Sequence, residues 1–83
     1  MIFICEKQIE PEELAAKLAK DLGMKAKGDT LFLGSHYFCS IRRLNKNKAD
    51  LLFMVPDDKK AFRDIGEKAK QLPYLELYGT FKN

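Results

Sequence analysis

The sequence predicts a small α+β domain, and three of its features carry that prediction. Two short runs, IFIC at residues 2–5 and LLFMV at residues 51–55, are apolar at every position and fit strands covered on both faces. Each leads to a proline among carboxylates and then to apolar residues at helical spacing, in EPEELAAKLAKDLG and PDDKKAFRDIGEKAKQL. After each helix the chain returns through stretches that alternate apolar and polar residues, the period of a half-buried strand.

Taken in order, Pro11 suits the first helical position, where its missing N–H costs nothing. Leu14, Leu18 and Leu22 recur with Ala15 and Ala19 beside them, and Gly23 reads as the C-cap. MKAK and TLFL flank Gly28-Asp29, a two-residue hairpin signal. Gly34-Ser35 then turns the chain into HYFCSIRRL. Strict alternation there sets Tyr37, Cys39 and Ile41 on one side and His36, Phe38, Ser40, Arg42 and Leu44 on the other. Residues 45–48, NKNK, read as a loop. Pro56 stops the second apolar strand, Asp57 or Asp58 caps a second helix, and Phe62, Ile65, Ala69 and Leu72 form its buried stripe up to Pro73. In YLELYGTF, Leu75 and Leu77 oppose Tyr74, Glu76 and Tyr78.

The two halves echo each other in element order. This pattern predicts a split β-α-β, ferredoxin-like sheet with two parallel central strands, both helices on one face and one or two extra meander strands. No linker or low-complexity segment divides the chain, so residues 1–83 form one domain.

Composition narrows the function classes. A chain of 83 residues buries only about 60–65% of the surface its unfolded form exposes, and 46% apolar content is globular rather than disordered. No apolar run approaches the ~20 residues that span a bilayer, and no membrane association is expected. The N-terminus has no basic region before its apolar residues and Glu6 interrupts them, which argues against a cleaved signal peptide and for a cytoplasmic protein. Cys5 and Cys39 are expected as reduced core residues, because small disulfide scaffolds carry more cysteines than two.

With helices on one face of the sheet, the other face is expected to collect His36, Phe38, Arg42, Tyr74 and Tyr78, with Arg43, Lys46 and Lys48 beside them. Exposed apolar patches mark partner sites, so the first expectation is a protein partner or self-association through that face. The alternative is single-stranded RNA or DNA. Net charge is uneven, −2 over residues 1–23, +5 over 24–48 and zero over 49–83, and aromatics beside basic residues hold stacked bases. The element order resembles the RNA-recognition motif in outline. Its central-strand signature is not met by LLFMVP, which has one aromatic, Phe53, and no preceding basic-Gly pair, so no residue role is carried over.

A further alternative is a weak calcium site built from Glu10, Glu12, Glu13, Asp57 and Asp58 at two neighbouring helix N-termini, although acids belong there for capping alone. No other cofactor is implied. No enzyme is expected: nucleophile and phosphate-loop fingerprints are missing, and His36 and Cys39, three apart on a regular strand, would face opposite ways.

Overall fold

The computed structural model describes residues 2–5, 9–43, 51–54 and 60–79, with residues 51–54 and Tyr78 described by backbone. The elements are β1 (Ile2–Cys5), α1 (Pro11–Leu22), β2 (Lys25–Lys27), β3 (Thr30–Leu33), β4 (His36–Ser40), β5 (Arg42–Arg43), β6 (Leu51–Met54), α2 (Lys60–Ala69) and β7 (Glu76–Gly79). The α+β expectation therefore holds, with two helices and two antiparallel sheets among the described residues. One sheet has the order β5-β6-β1-β7 and the other the order β2-β3-β4.

The expected pair of parallel central strands is corrected: β1 and β6 are neighbours, but they run antiparallel, Phe3 opposite Phe53 and Cys5 opposite Leu51. The cause is the chain between them. β5 pairs antiparallel with β6, so β5 runs the same way as β1 and β6 runs the other way. β7, antiparallel to β1, then runs the same way as β6 with β1 between them.

Helix α1 follows its sequence signals. Pro11 opens it, the Leu14 amide donates to the Glu10 carbonyl at 3.0 Å, and Gly23 closes it at φ +69° with its N–H on the Ala19 carbonyl. Leu14, Ala15, Leu18, Ala19 and Leu22 are all buried, each leucine contributing about 1.5–3 kcal/mol of apolar burial. In α2, Phe62, Ile65, Gly66 and Ala69 are buried, while Leu72 lies past the helix and packs half-buried on the core. One core unites both helices with Phe3 and Cys5 of β1 and with Leu31, Phe38, Cys39 and Ile41.

The strand after Gly34 departs from its expected parity. Leu31 pairs with Cys39 and Phe32 with Tyr37, so Phe38 is one extra residue in β4 at this register shift, a β-bulge. The bulge reverses every side before it. Phe38 turns into the core and Tyr37 turns outward, and the burial pattern shows it as two successive buried residues, Phe38 and Cys39.

Candidate partner-binding surfaces

The residues expected to share one open face are dispersed. Phe38 is 2% exposed, and its ring meets Phe62 of α2 edge-on at 4.9 Å between centroids. Tyr74 lies before β7 rather than on it; it is 8% exposed and its hydroxyl donates to Asp21 Oδ2 at 2.6 Å, with Lys17 Nζ 4.8 Å above the ring. Burial first, then the Asp21 hydrogen bond, hold this phenol well above its usual pKa. Both aromatics serve the core, and the expectation that they form an open surface is corrected.

The remaining candidates separate by register. Arg42 pairs with Leu52, Leu52 with Ile4 and Ile4 with Glu76, a row on the outer face of the four-stranded sheet. Arg43 takes the inner side with Leu51 and Cys5, and its guanidinium donates to Glu10 Oε2 at 3.0 Å. His36 is exposed at the start of β4. Because of the bulge, His36 (opposite Leu33) and Cys39 (opposite Leu31) share a face, against the expectation of opposite faces; one is exposed and the other buried. Tyr78 is the extra residue of a second irregularity, between Ile2↔Gly79 and Phe3↔Leu77. Lys46 and Lys48 lie outside the described residues.

Of the calcium candidates, Glu12 and Glu13 are exposed in the first turn of α1 and Glu10 is paired with Arg43. Asp57 and Asp58 lie outside the described residues, among which no group of three or more His, Cys, Asp or Glu gathers as a metal site. Among these residues no helix is long and apolar enough to cross a membrane.

Two outer surfaces emerge. On β1, Phe3 and Cys5 are fully buried while Ile2 and Ile4, on the other side, are only half-buried; register places Met54 and Leu52 opposite them. On the three-stranded sheet, Lys25, Phe32 and Tyr37 lie in one cross-strand row, and Lys27, Thr30 and Ser40 in the next row of the same face. Tyr37 is 61% exposed, its ring edge-on to Phe32 at 6.3 Å and its hydroxyl 3.3 Å from Ser40 Oγ. The signal for this second surface was Lys-Ala-Lys, whose period puts both ammonium groups on one side. No protein-family model matches the chain, and no curated protein or solved structure is significantly similar to it.

Proposed function

We propose that this chain is a small, non-enzymatic, cytoplasmic binding domain that meets a second copy of itself through the outer face of its four-stranded sheet. The observation that carries the reading is the half-exposure of Ile2 and Ile4 on a central strand, where the opposite side is sealed. Burying that apolar strip against another copy would recover about 25 cal/mol for each Å² removed from water.

The order of residues across the sheet favours a copy over an unrelated partner. The row runs Arg42, Leu52, Ile4, Glu76, with unlike charges at its two ends. A two-fold axis parallel to the strands reverses the row, bringing Arg42 of one copy over Glu76 of the other, and Leu52 over Ile4. The interleaving of β1-α1-β5 around β6, and of β6-α2-β7 around β1, likewise supports a ferredoxin-like reading of this sheet, with β2–β4 as the inserted meander.

Sedimentation equilibrium tests the proposal. A dimer is expected for the wild type, a monomer for Ile4→Lys, a weakened dimer for Arg42→Glu, and recovery in Arg42→Glu with Glu76→Arg. A wild type that stays monomeric at high concentration, or a charge swap that fails to restore what the single change lost, would overturn it.

A further inference from the structure

We infer that the outer face of the three-stranded sheet binds single-stranded RNA, with a base stacked on Tyr37 and the phosphate backbone drawn along Lys25 and Lys27. This site shares no residue with the proposed dimer face and does not depend on it.

Tyr37 presents more of itself to solvent than any other large hydrophobic residue described, and it sits within β4, paired with Phe32, next to the bulge at Phe38. Its ring is not free to fold away. Phe32 abuts it edge-on and Ser40 Oγ sits 3.3 Å from its hydroxyl, so the ring is held in place with a face left for a ligand. A flat, prepositioned aromatic surface on a sheet is what base stacking requires, since an ordered ring loses little entropy on binding.

The charge on β2 beside it is positive, from Lys25 and Lys27. Lys25 lies in the same cross-strand row as Tyr37, two strands away, or roughly 10 Å at the usual strand spacing. Lys27 is the next outward residue on β2. The turn between β2 and β3 carries one acid, Asp29, which accepts a hydrogen bond from the Thr30 hydroxyl at 3.1 Å. Within β2 to β4, residues 25–40, the formal charges are Lys25 and Lys27 against Asp29, a net of +1 with His36 neutral. Lysine suits this task as a hydrated point charge for phosphate, without base reading, so the site should tolerate any sequence.

An acidic protein segment would satisfy the lysines but gain nothing from the tyrosine face. A duplex would offer phosphates but keep its bases stacked inside. A single strand engages both features at every nucleotide, with a base for the ring and a phosphate for the lysines.

Fluorescence anisotropy of a labelled mixed-sequence single-stranded RNA of about 12 nucleotides at low salt reads the inference directly. Tyr37→Ala should weaken binding about 5- to 100-fold while Tyr37→Phe stays within about 2-fold, because stacking needs the ring and not the hydroxyl. Lys25→Gln with Lys27→Gln should lower the salt dependence, the slope of log K on log salt falling by about 1.4. In the wild-type backbone amide spectrum, RNA should shift Lys25, Lys27, Phe32 and Tyr37 first, a readout that needs no variant to fold. No binding by the wild type, a Tyr37→Ala affinity equal to wild type, shifts confined elsewhere, or duplex and polyglutamate competing as well as single strands would each overturn it.

Discussion

Tyr74 and Asp21, 53 residues apart in the chain, are joined by a 2.6 Å hydrogen bond that ties the turn before β7 to the last turns of α1. The tyrosine is buried and the carboxylate lies at the surface, so the hydroxyl end of a core residue is satisfied by an exposed acid.

Removing that hydroxyl in Tyr74→Phe should cost about 1–2 kcal/mol, a fall of roughly 5–10 °C in Tm for a domain of this size. The pH dependence has a definite sign. The folded phenol's pKa is raised above its unfolded value of about 10, so its stabilisation is complete below that pH and is lost as pH rises through the folded value. Urea unfolding of wild type and variant should therefore show a constant gap at neutral pH that narrows above about pH 10. A gap that widens in alkali would contradict the assignment.

Phe38 belongs to the core, and truncation should show it. Phe38→Ala is expected to lose about 3–5 kcal/mol through its cavity against Phe62, a large share of the ~5–10 kcal/mol available to a domain this small. Denaturant titration decides the matter: a loss below about 0.5 kcal/mol is what a solvent-exposed phenylalanine would give.

Cys5 and Cys39 are both buried and are thiols rather than halves of a disulfide. Neither should react with Ellman's reagent in the native protein, and both should react at once in denaturant. Rapid labelling of either thiol under native conditions would show that its strand opens or is misplaced.

Two glycines give a matched pair. A methyl group added at Gly23 or at Gly79 meets no atom within 4 Å, but Gly23 sits at φ +69° and Gly79 does not have positive φ. Gly23→Ala should cost about 1 kcal/mol from backbone strain alone, while Gly79→Ala should stay within about 0.5 kcal/mol. Thermal melts of the two variants, compared side by side, isolate the C-cap.

Much of this architecture was legible in residue types. The four-residue spacing of Leu14, Leu18 and Leu22 named the buried face of α1, Gly23 its end, and Gly28-Asp29 the first hairpin. What escaped was set by events that leave no local trace. A period-two reading of residues 36–44 assumes an unbroken ladder, and the extra residue at Phe38 exchanged Phe38 and Tyr37 between core and solvent. Tyr74 was expected to alternate with Leu75 along one strand, yet both are buried and Tyr74 lies in the turn before β7, its hydroxyl on Asp21 of a distant helix. Leu77 does take the side of Phe3 by register, but on an edge strand that side leaves it 47% exposed. Antiparallel β1 and β6 followed from counting hairpins, which the echo between the two halves concealed.

Residues 36–43 run through two strands in different sheets, β4 against β3 and β5 against β6, with only Ile41 between them. Ile41 is buried and its amide donates to the Asp29 carbonyl at 2.8 Å, so the junction is itself fastened. Neither sheet can come apart without pulling on a strand that the other holds. Unfolding should thus be cooperative across the whole chain, one transition rather than two, and slow amide exchange should extend through Cys39, Ile41 and Phe3 at a single common free energy.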